Sequence, residues 1–457
     1  MTGFLNREEE LEMLKDRYNS GERELIVVYG RRRVGKSELV RESLKDTENA
    51  VYYQATESTP SIQLENFAEI ADKSFPEIKK LEKKWETLLQ HLGEKDAVVV
   101  IDEFPFLIDS DSSIVSKFQR VWDEHLKETG MTLILIGSSI SVMEEKVMSG
   151  GSPLYGRRTG SIDLKPLDVD EMMKFYPINA EDAVKAYSVF GGTPYYLESL
   201  EKQKTVAENI RELIMDSGGK LHDEPEFLLK TELGKPGRYF SILKSIASGY
   251  TTQNEIAQAT GIDSSQIGSY LSKLRKIRLV KREVPVTEDP KKTRRSIYRL
   301  SEPLFRFWFR FIYGRQDEIE LSERPFETKV KPQLNDYVSE SFEDICRKKL
   351  PETVEADYYR IGSWWYQENE IDIVGLAEAE TVLGECKYRE RKTGIETLEK
   401  LEEKKEAIRI PQRSTENIQY VIFSKSGFNQ NLEKAGAERE DLTLLSIKDF
   451  IGPDREK

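Results

Sequence analysis

Only two cysteines, Cys346 and Cys386, occur in 457 residues, which excludes a disulfide framework and a cysteine zinc site. Three histidines leave little scope for imidazole chemistry. No apolar run is long enough to span a bilayer, and the amino-terminal stretch MTGFLNREEELEML has no apolar signal region. The expectation is a cytoplasmic protein with no membrane partner. No internal repeat is visible, and the nearest thing to low complexity, LEKLEEKKE, reads as a solvated helical face. Catalysis would then draw on carboxylates, Lys, Arg and a divalent metal. Charge is what the chain has in quantity: 33% of its residues are charged, and the balance is −13. That sum argues mildly against whole-surface binding to nucleic acid but leaves room for a basic patch on one segment.

A chain of this length implies roughly two to four domains. ELIVVYG (24–30), AVYYQA (50–55), DAVVVIDE (96–103) and MTLILIGSS (131–139) are short apolar runs, each followed by helical or mixed sequence. Buried parallel strands read this way. The fold class expected is therefore α/β and multidomain, with SIDLKPL (161–167) a candidate fifth strand. Residues 1–167 form the parallel-sheet core, and 168–235 read as a helical lid interrupted by FGGTPYYL (190–197). Residues 236–312 give helix, turn, helix and hairpin, the order of a winged helix-turn-helix. Residues 313–457 open with a helix and continue as an α/β domain.

GRRRVGKS (30–37) matches G-x-x-x-x-G-K-[ST] between a strand and a helix-like run, the context a P-loop requires. The phosphate-facing set is Gly30, Arg31, Arg32, Arg33, Val34, Gly35, Lys36, Ser37 and Glu38. Backbone N–H groups curl around phosphates and the helix amino terminus adds its positive pole. Lys36 reaches the outer phosphates of ATP and Ser37 ligates Mg²⁺. The three arginines either touch phosphate or pack on the lid. VVVIDEF (98–104) supplies Asp102 for Mg²⁺, directly or through water, and Glu103 to orient or deprotonate the attacking water. Ser138 and Ser139 end the next strand, either facing the γ-phosphate or making a plain turn. In SPLYGRRTG (152–160), Arg157 and Arg158 either stabilise transition-state charge, in cis or across a subunit boundary of a homo-oligomer, or form surface salt bridges.

GRRRVGKS, VVVIDEF, LILIGSS, PLYGRRTG and FGGTPYYL, in that order, resemble the archaeal ATPase family, AAA+-related P-loop ATPases close to the STAND class. The resemblance implies a five-stranded core with a helical lid, ATP hydrolysis, and Pro194 near the nucleotide base.

Residues 251–300 hold about eleven Lys and Arg against about five acids, a basic segment in an acidic chain. Ser264, Ser265, Gln266 and Ser269 fall at the exposed start of a recognition helix. Lys291, Lys292, Arg294 and Arg295 fall at the wing tip, suited to phosphate. The competing reading is a winged helix used only for packing. The aromatic run SEPLFRFWFRFIYG (301–314) reads as a buried connecting helix.

In EIDIVG and GECKY, strand parity puts Glu385 and Lys387 on one face with Cys386 opposite, and lets Asp372 join them. Two carboxylates at one point repel unless a cation such as Mg²⁺ joins them. The arrangement resembles the PD-(D/E)XK nuclease core, with Glu343 on the preceding helix as the further acid and the C-terminal domain restriction-endonuclease-like. The competing reading is a hairpin with a salt-bridged polar face. Together these readings give an ATPase coupled to double-stranded or branched DNA and to Mg²⁺-dependent endonuclease activity. The alternative is an ATP-switched regulator or scaffold with an inert nuclease-like domain.

Overall fold

A computed structural model of the chain describes residues 5–452, apart from 235, 323 and 412–416. The first four residues of the stretch read for a signal region therefore lie outside the described residues. Among the described residues no helix is long and apolar enough to cross a membrane. The chain divides into two compact units, Met1–Pro166 and Leu167–Lys457.

In the first unit every apolar run is a strand: β1 (Glu24–Tyr29), β2 (Ala50–Gln54), β3 (Val98–Asp102), β4 (Thr132–Gly137) and β5 (Gly160–Asp163). All pair in parallel, in the order β2-β3-β4-β1-β5. Both faces are covered, which is why the runs read as continuously apolar. Within β1, Leu25 and Val27 enter one hydrophobic cluster while Ile26 and Val28 enter the other. The helices Pro60–Ser74, Trp85–Gly93 and Ile114–Glu124 bury their apolar stripes in the first cluster. Glu8–Tyr18 and Lys36–Ser43 close the second. Parallel register aligns Tyr29 with Gly137 and Ile101 with Leu135, so the carboxyl ends of β1, β4 and β3 lie side by side.

The second unit begins with two capped helices. Asp168 and Glu171 form a reciprocal capping box for Val169–Phe175, and Asn179 caps Ala180–Phe190. The helices Gln253–Thr260 and Ser264–Lys276 follow, turning at Gly261, whose φ of 66° suits glycine. The antiparallel strands β6 (Val280–Glu283) and β7 (Ile297–Leu300) come next, in the order a winged helix requires. The aromatic run forms the helix Pro303–Phe311, with Phe305, Phe307, Trp308, Phe309 and Phe311 all buried. Burial removes these rings from any stacking role; each buried Phe contributes about 1.5–3 kcal/mol of transfer free energy.

A long helix, Leu334–Thr353, precedes a mixed sheet of β8 (Tyr358–Tyr366), β9 (Asn369–Ala377), β10 (Thr381–Lys387), β11 (Ile418–Ser424) and β12 (Leu442–Ser446). The strand order is β12-β11-β10-β9-β8, with β10 antiparallel to β9 and parallel to β11. The long helix packs Phe342, Ile345 and Cys346 on the face that carries Val382, Cys386 and Phe423. The helix Glu396–Lys405 packs Leu398 and Leu401 on the opposite face, against Leu383 and Ile422. LEKLEEKKE is therefore only half solvated: its leucines belong to the core. One hydrophobic cluster runs from Leu167 to Ile451, so the segments expected as lid, winged helix and C-terminal domain share one unit.

Candidate functional site

The P-loop leaves β1 at Gly30, whose φ is 150°, and enters the Lys36–Ser43 helix through Gly35 at 91°. Side chains rarely adopt either angle. Gly30 is also pressed against the Leu164 backbone that follows β5, so a Cβ there would overlap the Leu164 carbonyl. Arg33, inside the loop, holds a left-handed φ of 70°, at a cost of about 1–3 kcal/mol. Lys36 is buried, and its Nζ donates to the carbonyls of Gly30 at 3.1 Å and Arg31 at 2.8 Å. The ammonium thus lies in the mouth of the loop.

Asp102 ends β3 with 1% of its surface exposed. Its Oδ1 accepts the Glu103 N–H at 2.9 Å, and its Oδ2 accepts the Tyr52 phenol at 2.5 Å. Glu103 has a φ of 53°, which turns its carboxylate away from the strand direction. Its Oε2 accepts the Ser138 hydroxyl at 2.8 Å and the Ser138 N–H at 3.3 Å. Ser138, read from sequence as facing the γ-phosphate or as a plain turn, lies against this acid, a contact neither reading named. Burial and the Asp102 charge hold the Tyr52 hydroxyl well above its ordinary pKa, so it is a proton donor at neutral pH. Lys36, Ser37, Asp102, Glu103 and Ser138 are thus gathered at one end of one sheet.

The second charged cluster sits on β9 and β10. Asp372 and Glu385 share a face with Lys387, as parity requires, and Cys386 points to the other face, beside Cys346. Asp372 Oδ2 accepts the Cys386 N–H at 2.8 Å. Lys387 Nζ lies 2.5 Å from Glu385 Oε2 and 3.8 Å from Asp372 Oδ2. Lys404, from the Glu396–Lys405 helix, ion-pairs with Glu385 Oε1. Burial first, then the Glu385 charge, raises the Asp372 carboxyl. Burial works against the Lys387 ammonium, but Glu385 and Asp372 outweigh it and hold that group above its usual value.

Glu343 comes from the long helix, whose Phe342, Ile345 and Cys346 pack on the Cys386 face of the sheet, and its carboxyl is raised by burial and by the Asp372 charge, so the two acids are within electrostatic reach of each other. Among the described residues no group of three or more His, Cys, Asp or Glu is arranged to hold a metal ion. Two carboxylates face two ammonium groups, a neutral set that does not itself demand a cation.

With this geometry in place, comparison with known proteins is direct. A family profile described as an ATPase domain predominantly from Archaea matches residues 4–200. A second, described as archaeal and bacterial proteins of unknown function, matches residues 308–405. An uncharacterized protein of Methanocaldococcus jannaschii is 36% identical over 379 residues, 82% of this chain and 84% of that one. The chain belongs to the archaeal P-loop ATPase family. An uncharacterized ATP-binding protein of the same organism is 49% identical over 43 residues, 9% of this chain and 73% of that one. Among solved structures, the Walker-type ATPase of Pyrococcus abyssi is similar at 20% identity and a TM-score of 0.49, covering 67% of this chain and 96% of that one.

The two arginine candidates lie on the loop before β5. Arg157 of the ATPase domain is at the amino end of β5, which runs parallel to β1, so it sits at the sheet edge opposite the P-loop. There it grips Asp123 with Nε and Nη2 at 2.8 and 2.7 Å, the bidentate surface salt bridge of the competing reading. A role for Arg157 in cis at this chain's own phosphates does not fit that placement. Arg158 is exposed on the same loop. Pro194 belongs to the second unit, where it opens the short helix Pro194–Leu197.

Sequence reasoning passed over Lys404 and Tyr52. Lys404 was hidden in a charged helical run. Tyr52 was hidden in a strand that looked like plain core, although residues two apart on β2 share a face and Gln54 pairs with Asp102.

Proposed function

We propose that the chain is a Mg²⁺-dependent ATP hydrolase whose nucleotide site lies at the carboxyl ends of β1, β3 and β4 and whose second unit acts on DNA. The observation that carries the ATPase part is the convergence of Lys36, Ser37, Asp102 and Glu103 at that edge, with Ser138 donating to Glu103. The donor set fits a hard cation: a hydroxyl and a buried carboxylate, with no soft ligand. Ser37 and Asp102 would hold Mg²⁺, which when bound would supply positive charge to neutralise what develops on the phosphates. The backbone N–H groups of residues 30–37 cradle the phosphates and Lys36 turns its ammonium to the outer ones. Glu103 orients the attacking water and accepts its proton, while Ser138 fixes the direction of that carboxylate.

DNA contact is supported by the exposed start of the Ser264–Lys276 helix, with Ser264, Ser265, Gln266 and Ser269 at the surface, and by exposed Lys291, Lys292 and Arg294 near the hairpin tip. Cleavage is the finer reading, and it rests on Asp372, Glu385 and Lys387 sharing one face. Against it stands the neutral charge balance, which favours the second reading: an ATP-switched regulator or scaffold with an inert C-terminal sheet. No metal step is derived at that cluster.

One experiment separates the two: ATP turnover and cleavage of duplex, branched and single-stranded DNA, with Mg²⁺ and with or without ATP. Lys36→Ala should abolish turnover, and unchanged turnover would refute the P-loop reading. Glu385→Ala should leave turnover intact and remove any cleavage the wild type shows. A wild type inert on every substrate establishes the scaffold reading instead.

A further inference from the structure

Tyr52 stands between two groups on different elements. Its phenol donates to Asp102 Oδ2 at 2.5 Å, and the Ser37 hydroxyl is close enough to the same phenol to oppose the rise in its pKa. β2 is the edge strand of the sheet and pairs only with β3. The Tyr52 backbone aligns with Val100, two residues before Asp102, so the ring reaches diagonally along the shared face to the acid. The ring is held in place from the other side. The Arg41 guanidinium lies 3.9 Å from its centroid. Arg41 is four residues after Ser37 on the P-loop helix, hence on the same helical face.

We propose that Tyr52 is a positioning residue for the divalent-cation end of the nucleotide site, orienting Ser37 and Asp102 together. The inference rests on the ATPase reading of that site. A hydroxyl has one proton and two lone pairs. When Ser37 gives its proton to the phenol oxygen, both lone pairs turn toward the side where a cation sits. The phenol proton goes to Asp102 Oδ2, and the Glu103 N–H occupies Oδ1. The carboxylate is thereby fixed by two donors and keeps its remaining lone pairs for cation-bound water. Without the phenol, Ser37 can rotate its proton toward the cation and Asp102 loses one of two anchors. Arg41 serves this arrangement indirectly, by fixing the ring that carries the hydroxyl.

The test is Tyr52→Phe in the full-length protein, which keeps the ring and the Arg41 stacking and removes only the hydroxyl. Binding of ADP and of a non-hydrolysable ATP analogue is measured by calorimetry, in excess Mg²⁺ and in EDTA. A hydrogen bond to a charged group is worth enough to expect a loss of about 5–10-fold in Mg²⁺. The affinity in EDTA should stay within about twofold of wild type, since only the cation end is disturbed. The Mg²⁺ concentration that half-saturates the nucleotide complex should rise by a similar factor. An equal loss in Mg²⁺ and EDTA would mean a merely structural tyrosine and overturn the proposal, as would unchanged affinity in Mg²⁺. A fall in the melting temperature large enough to explain the binding loss counts with the first of these outcomes. A wild type that binds no nucleotide in either condition would refute the P-loop reading itself.

Discussion

Replacing Ser138 by alanine isolates what one hydroxyl does for Glu103. Two donors reach Glu103 Oε2: the Ser138 hydroxyl at 2.8 Å and its N–H at 3.3 Å. Alanine keeps the longer contact and removes the shorter. Hydrogen bonds to charged groups contribute about 1.5–3 kcal/mol. Ser138 is buried, so water replaces the lost donor poorly. Glu103 itself holds a left-handed backbone, with a φ of 53°, as the residue that precedes the helix Phe104–Ser110. About 1.4–2.7 kcal/mol of lost orientation translates to a fall in kcat of about 10–100-fold. Ser138 touches Glu103, the acid proposed to activate water, so on that reading nucleotide affinity should change by less than about twofold. The assay is steady-state phosphate release at saturating ATP and Mg²⁺, with calorimetric binding alongside. An unchanged or increased kcat would refute the reasoning, and so would a loss of affinity equal to the loss of rate.

Two further perturbations test the second unit. A Cβ on Gly192 would sit 2.6 Å from the Leu167 carbonyl carbon and 2.8 Å from its nitrogen, and would break the Leu167 N–H to Gly192 carbonyl bond. Gly192→Ala should therefore cost about 3 kcal/mol or more, lowering the melting temperature by about 6–12 °C in calorimetry; a shift under about 2 °C would contradict the close approach. At Asp372 the sign of the pH dependence is fixed by the raised carboxyl: both folded and unfolded states are protonated below the ordinary carboxylate range, and the cost of ionising the buried group builds as pH rises through its elevated value. Asp372→Asn, which can still accept the Cys386 N–H, should raise the melting temperature by about 2–4 °C at pH 8 and less at pH 4.5. A larger gain at pH 4.5 would overturn that assignment.

The strands of the ATPase core were legible because a parallel strand covered on both faces carries its burial in every residue, as Leu25, Ile26, Val27 and Val28 do. The P-loop was legible because its chemistry is local in sequence. Strand parity also placed Asp372, Glu385 and Lys387 correctly, since it acts within one hairpin. Parity acts only within the hairpin, so it could not place Glu343, which comes from the long helix and feels the Asp372 charge. Lys404 was missed because a charged helical face looks the same in sequence whether its lysines meet water or a buried glutamate. Arg157 is different: SPLYGRRTG precedes a strand parallel to β1, so its place at the amino edge of the sheet followed from strand direction alone.

The basic count of the winged-helix segment needs the same correction, because several of its cations are consumed inside the fold. Lys281 and Arg299 stand directly opposite each other on β6 and β7, a pairing that repels unless anions intervene. Glu340 and Asp344, four residues apart on the long helix, supply them. Arg299 reaches Glu340 at 2.6 Å and Lys281 reaches Asp344 at 2.7 Å. Arg306 and Arg347 join the same two acids, and Glu283 joins the cations. Burial alone would raise Asp344, yet Lys281 and Arg347 hold it well below the carboxylate range. Arg295 is likewise paired, with Glu288. A buried network of this kind is weak evidence for net stability, but removing one member strands the others. The hairpin is therefore fastened to the long helix by the charges that gave the segment its basic excess. Those charges cannot also serve phosphate. Outside this network lie the exposed start of the Ser264–Lys276 helix and the lysines near the hairpin tip, so those are the groups left to carry the proposed nucleic-acid contact.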